Sequence, residues 1–290
     1  MSAFDQAFIK AYTQQDATSA VPRTASAESM SLSEALRNQP AKATAPELET
    51  LCPTDGEDRI EPPLRPMLQV DRFNWPQVCR RLGEEAAEEL DRLTDALMAA
   101  MAAGQKVLAI GGCCPGGGTT TLVLCAAQRL AGRRLKVAMV EGNLGDPRLA
   151  KRLGLAPEYG WQETLGGRLP LEEVVIESAD GQLALLPLCE PFAGTGDAAA
   201  DQARMAESIE TLSGHYDLIL VDLGSLEDAA GSGDSLGPAI MERLDGIVLI
   251  DDVRDSKVDR LAEVRRALAT AEIRQLGIIQ NFVSTHKRAA

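Results

Sequence analysis

The residues best equipped for chemistry fall in two stretches. The first is Gly111-Gly112-Cys113-Cys114-Pro115-Gly116-Gly117-Gly118-Thr119-Thr120-Thr121, between the apolar run Lys106 to Ile110 and the apolar Leu122-Val123-Leu124-Cys125. Glycines let backbone N–H groups converge without interference from Cβ atoms, and a helix beginning at the end of the turn adds a dipole that favours an anion. Strand, glycine-rich turn and helix start, in that order, are what a phosphate cradle needs. The second stretch is Tyr216-Asp217-Leu218-Ile219-Leu220-Val221-Asp222, an apolar strand ending in a carboxylate that could hold Mg²⁺ beside a phosphate. A glycine-rich turn also serves as a plain tight connection, and the carboxylate-ended strand is what favours the phosphate reading. Cys113 and Cys114 lie inside the turn on the side of a helix N-terminus, where thiolate character is favoured, although packing is the commoner role of a free cysteine.

Elements of a particular kind must position these residues. After Gly104, short apolar runs alternate with helix-length segments: Lys106 to Ile110, Leu135 to Val140, Leu183 to Leu188, Leu218 to Val221, Ile247 to Ile250 and Leu276 to Ile279. Helices are predicted between them at Thr120 to Leu130, Asp201 to Leu212 and Lys257 to Ala271. That alternation predicts an α/β domain over residues 70–285, a mostly parallel sheet with helices on both faces. A long helix is predicted from Trp75 to Ala103, with Leu82, Ala86, Leu90, Leu93, Leu97 and Met101 on one stripe and a run of acidic residues on a solvated face. The loops Gly194 to Asp197 and Glu227 to Asp234 follow strand ends and should line the crevice at the carboxyl edge.

Ahead of this domain the composition changes. Residues 13–69 are rich in Ala, Ser, Thr, Pro and Glu and lack periodicity, so they read as a disordered linker. Phe4, Phe8, Ile9 and Tyr12 fall at helical spacing, which predicts a short amphipathic helix over residues 1–12 able to dock on a partner or on the domain itself. Residues 286–290 are a tail.

The whole chain has 290 residues and a net charge of −14, which argues against a phosphate-backbone binder and disfavours anionic lipid surfaces. The six cysteines form no C-x-x-C pair and there are two histidines, too few close pairs for a structural zinc site. With no apolar run near about 18 residues and no signal-peptide pattern at the start, a cytoplasmic protein without membrane insertion is expected.

In order along the chain, Pro115 to Thr121, Val137-Ala138-Met139-Val140-Glu141-Gly142-Asn143, Asp146-Pro147-Arg148-Leu149, Tyr216 to Asp222 and Gly277-Ile278-Ile279-Gln280-Asn281 form a further pattern. Over about residues 80–283 the sequence thereby resembles the MinD/ParA-type P-loop ATPases, and among them the cytoplasmic bacterial tyrosine kinases (BY-kinases) of exopolysaccharide export. The resemblance implies ATP or ADP with Mg²⁺ as cofactor. It places the nucleotide on Pro115, Gly116, Gly117, Gly118, Thr119, Thr120, Thr121 and Asn281, the metal on Thr120 and Asp222, and catalysis on Asp222 and Glu141.

The departures from the family pattern bear on function. The phosphate-binding lysine is Thr119 here, or Gly118 if the alignment slides by one, and the family's signature lysine would be Cys114. Glu141 and Asn143 replace the two aspartates of D-x-D. Losing a charge-assisted contact of about 1.5–3 kcal/mol weakens binding roughly ten- to more than a hundred-fold. The C-terminal tyrosine cluster is absent, the only tyrosines being Tyr12, Tyr159 and Tyr216, and the family's E-x-x-R-x-x-R contact is kept only as Glu89 to Arg92 with Asp95 in the last place. These features imply a degenerate adaptor or regulator of exopolysaccharide synthesis or export, with a homodimer still open. Its expected partner is a protein, such as a membrane polysaccharide co-polymerase, reached through residues 4–12 and bringing the chain to the membrane indirectly. Two alternatives are an active ATPase or tyrosine kinase, with Lys106, Lys136, Arg148 or a second subunit supplying the cation, and a MinD/ParA-like positioning ATPase.

Overall fold

The computed structural model describes residues 10–12, 64–226, 237–254 and 260–283. The strands are β1 (Lys10–Tyr12), β2 (Leu68–Val70), β3 (Val107–Gly112), β4 (Val137–Glu141), β5 (Ile176–Ser178), β6 (Leu183–Leu186), β7 (Leu218–Ser225), β8 (Gly246–Asp252) and β9 (Gln275–Asn281). They form one sheet in the order β1-β9-β8-β3-β7-β4-β6-β5-β2. From β9 through β6 every neighbouring pair is parallel. At the margins β1 and β5 run antiparallel to β9 and β6, while β2 runs parallel to β5.

The continuous apolar runs are what such a sheet requires, because side chains alternate between two covered faces. Leu108 and Ile110 of β3, Val137 and Met139 of β4, and Leu218 and Leu220 of β7 join one buried cluster with α1 (Gln77–Glu85), α2 (Ala87–Ala102) and α3 (Thr119–Gly132). Their neighbours Val107, Ala109, Ala138, Val140, Ile219 and Val221 join the other. That second layer contains α5 (Trp161–Leu165), α6 (Ala198–His215), α7 (Gly237–Met241) and α8 (Arg260–Thr270). The four-residue α4 (Leu149–Arg152) follows β4.

Several expectations need correction. The helix predicted from Trp75 to Ala103 is two helices, bent at the fully buried Ala86, whose φ of −124° and ψ of 37° leave the helical region. Ala86 still donates to Leu82 O (2.9 Å) and accepts from Leu90 N (3.0 Å), so the chain turns without losing its ladder, and both apolar stripes reach α3. The acidic face of α2 is partly used inside the molecule. Asp91 pairs with Arg129 at 2.6 Å and Arg133 at 3.2 Å, and Asp95 pairs with Arg133, all across to α3. Asp95, which stands where the family's second arginine would be, is therefore already engaged within the chain.

At the N-terminus, Lys10–Tyr12 is an edge strand and not the end of a helix, because β9 offers an open row of backbone donors and acceptors that an extended segment can satisfy. The rest of the expected amphipathic patch lies outside the described residues. The domain begins earlier than residue 70. Leu64 is buried, Met67 N donates to Glu172 O at 2.8 Å, and Leu68–Val70 pairs with β5. Residues 13–63 of the expected linker, the loop 227–234 and the tail 286–290 lie outside the described residues. Among the described residues no helix is long and apolar enough to cross a membrane.

Candidate phosphate-binding site

β3 is buried along its whole length and delivers the glycine-rich turn to the carboxyl edge of the sheet. Cys113 N donates to Ile250 O at 2.9 Å, which extends the β3–β8 ladder one residue into the turn. Gly118 then stands at the N-cap of α3 with φ of 96°, and among the described residues no side chain caps that helix start. A Cβ at Gly118 would fall 2.5 Å from Asn281 Nδ2, so both backbone conformation and space require glycine here. The uncapped N–H groups face the requirement of every helix start, a partner bearing negative charge. Among the described residues the turn opens onto a cavity of about 300 Å³, and Pro115 to Thr121 all line it.

Of these residues, Thr119 is spent elsewhere. It is buried, and its hydroxyl donates to Gly224 O at 3.3 Å, tying the first turn of α3 to the end of β7. The position that resembles the family's lysine therefore holds a short neutral side chain bonded beneath the loop. Cys113 and Cys114 are buried and in no disulfide, and Cys114 also borders the cavity.

The two acidic residues lie opposite each other, since Glu141 of β4 and Asp222 of β7 share a register position. Both are buried, at 1% and 0% exposure. Glu141 Oε2 accepts from the backbone N–H of Arg148 (2.6 Å) and Leu149 (2.8 Å), so this carboxyl fixes the entry to α4. Asp222 Oδ1 accepts from Gly224 N at 3.0 Å. Among the described residues, the remaining oxygens, Glu141 Oε1 and Asp222 Oδ2, have no hydrogen-bond partner. Burial, and then the field of Asp222, push the Glu141 carboxyl up to about 8 against the pull of its backbone donors. Burial likewise pushes Asp222 up to about 6, while the Thr120 hydroxyl, the Gly224 N–H and the charge of Arg148 act the other way. Two neighbouring buried carboxyls with an unpartnered oxygen each fit a shared proton or a divalent cation.

Asn143 also lines the cavity, whereas Asn281, Lys106 and Lys136 do not. Asn143 closes its own turn by donating to Asp146 O at 2.9 Å, and it lies against Gly224, where a Cβ would meet its amide at 2.3 Å. Asn281 is buried and donates from Nδ2 to Gly117 O at 2.8 Å, so it braces the loop from below and does not line the cavity. Lys106 and Lys136, candidates for a replacement cation, open β3 and β4 at the opposite edge of the sheet. Lys106 Nζ donates to Ser213 O at 3.0 Å, and Lys136 N donates to Asp217.

The cavity wall also contains residues that the sequence reading passed over. Arg152 lines it with Arg148, the two standing four residues apart, a spacing that places helical residues on one side and was visible in the sequence. Phe282 lines it as well, with φ of 60°, a left-handed conformation uncommon for a bulky residue. Arg254 stacks on the Phe282 ring at 3.2 Å and pairs with Asp252 at 2.7 Å, and that guanidinium holds the Asp252 carboxyl below its ordinary range. No periodicity or motif announced these two. Among the described residues no group of three or more His, Cys, Asp or Glu is placed to hold a metal.

No protein-family profile matches the chain and no curated protein is similar to it in sequence. Solved structures are similar in fold. The chimerical protein CapA2B2 superposes with a TM-score of 0.62 at 15% identity, over 77% of this chain and 96% of that one. The kinase domain of the Escherichia coli tyrosine kinase ETK gives 0.61 at 19% identity, over 78% and 92%, and the BceF tyrosine kinase domain gives 0.57 at 21%, over 69% and 80%. The chain thus has the α/β fold of the bacterial tyrosine kinase domains.

Proposed function

We propose that this chain is a degenerate relative of the bacterial tyrosine kinases that binds a nucleotide weakly and acts as an adaptor or regulator of exopolysaccharide synthesis or export. One observation carries this reading: the glycine loop and the carboxylate at Asp222 are kept, while the lysine position is a buried threonine bonded to Gly224 O. Uncapped N–H groups at Gly118 to Thr121 supply directional donors to a phosphate, but backbone dipoles alone give less stabilisation to the transferring group than a lysine does. Thr120 and Asp222 would hold Mg²⁺, and the unpartnered Asp222 Oδ2 suits that role. When bound, the metal would offset the negative charge of the phosphates. Glu141 would hold the chain at Arg148 and Leu149 in place through its two accepted hydrogen bonds. A protein partner would be reached through residues 4–12, and a pull-down that keeps every partner after deletion of residues 1–15 would remove that part of the reading.

The cavity also gives support to the active-enzyme alternative, because Arg148 and Arg152 border it. Calorimetric titration of ATP with Mg²⁺, followed by a phosphate-release assay, separates the two. The adaptor reading expects weak binding without turnover. Turnover that disappears in Asp222→Ala would replace it with the enzyme reading.

A further inference from the structure

The loop presents donors without a full positive charge, so a bound phosphate chain would have to find its counter-charge elsewhere on the cavity wall. That wall is formed by α4 and the turn before it. Arg148 is exposed and pairs with Asp146, a contact of a kind worth little in water. Arg152, at the end of the same four-residue helix, is exposed and borders the cavity, yet its guanidinium makes neither ion pair nor hydrogen bond with any described residue. It shares that cavity lining with Thr119, Thr120 and Thr121, which puts the guanidinium on the same cavity as the first turn of α3. The field of Arg148 reaches Asp222 and Glu141. Two arginines, one sharing the cavity with the helix start and one with its field at the carboxyl pair, thus flank the place where a terminal phosphate would lie.

Resting on the reading of the cavity as a nucleotide site, we propose that Arg152, with Arg148, supplies the cation that the glycine loop lacks and holds the terminal phosphate of a nucleoside di- or triphosphate. Guanidinium groups suit this position because their planar fork donates two hydrogen bonds to one phosphate, and Arg152 gives up no ion pair or hydrogen bond to a described residue in doing so. Arg148 exchanges Asp146 for phosphate, a trade between two anions. The geometry therefore moves the charge from the floor of the loop to the opposite wall, where it contacts the ligand from outside.

The test is calorimetric titration of the full chain with ADP and Mg²⁺, comparing wild type, Arg152→Gln, Arg152→Lys and Arg243→Gln. Arg243 is exposed and stands near the amino edge, so its substitution changes net charge equally and serves as the control. Arg152→Gln should weaken binding at least about tenfold, the loss of one charge-assisted contact. Arg152→Lys should recover part of that, and Arg243→Gln should stay within twofold. All four should melt at the same temperature. Arg152→Gln binding as wild type does, while Asp222→Ala abolishes binding, would overturn the arginine proposal and leave the nucleotide reading standing. No heat from wild type with millimolar ADP or ATP would overturn both.

Discussion

Glu141 and Asp222 show how much a single register position decides. Parallel pairing of β4 and β7 brings the two carboxyls side by side, and the covered faces of the sheet remove them from water. Burial opposes both charges, and the field of Asp222 further opposes that of Glu141, so the native state retains a proton that the unfolded chain gives up. The sign follows directly. Between the ordinary carboxylate range and about 8, the native protein binds more protons than the unfolded one, and stability falls as pH rises through that window. A difference of one proton is worth about 1.4 kcal/mol per pH unit, or roughly 3 °C in melting temperature for a domain of this size. Glu141→Gln keeps an oxygen to accept from Arg148 and Leu149 but cannot ionise. It should melt like wild type near pH 5 and several degrees higher at pH 8.5. Parallel melting curves for the two proteins across that range would show that the pair is not strained by charge.

The elements were legible in the sequence to unequal degrees. The continuous apolar runs mark the six parallel strands, each within about four residues of its observed ends, because burial on both faces leaves a strong and simple pattern. β2 and β5 have three residues each and depend on each other for hydrogen bonds, so no local signal distinguishes them from loop. The bend at Ala86 was hidden because both helices keep one apolar stripe through it. In the site, the glycines and Asp222 were visible as types at a spacing, whereas Phe282 and Arg254 meet only through tertiary contact. The missed start of the domain has a measurable consequence. A chain truncated to begin at residue 64 keeps buried Leu64, the Met67 N to Glu172 O bond and β2, and a chain that begins at residue 71 loses all three. Burying one leucine is worth about 1.5–3 kcal/mol, so the shorter chain should melt at least about 3 °C lower. Equal melting temperatures would mean that β2 contributes nothing to the domain.

At the scale of the whole molecule, a parallel sheet has two unlike edges. The carboxyl ends of β3, β4, β7, β8 and β9 bring Gly116 to Gly118, Glu141, Asp222, Asp252 and Asn281 to one side, where the glycine loop, Arg148 and Arg152 border the cavity. The amino ends are closed by carboxylates instead. Asp245 accepts from the N–H groups of Lys106 and Val107 at 2.7 and 2.8 Å, and Asp217 accepts from Lys136 N at 2.8 Å. A strand of five or six residues spans roughly 17–20 Å, which is longer than a lysine side chain can bridge. Lys106 and Lys136 therefore cannot stand in for the missing loop lysine of their own chain, however suitable their chemistry. Replacing both with glutamine should leave ADP and ATP titrations unchanged within twofold, since the backbone contacts that place them do not involve the side-chain charge. A tenfold loss in the double variant, with its melting temperature preserved, would require the amino edge of a second copy to approach the cavity. That outcome would also make the cation an intermolecular contribution, and the loss would then shrink as protein concentration falls, because the dissociated wild type lacks the contact as well.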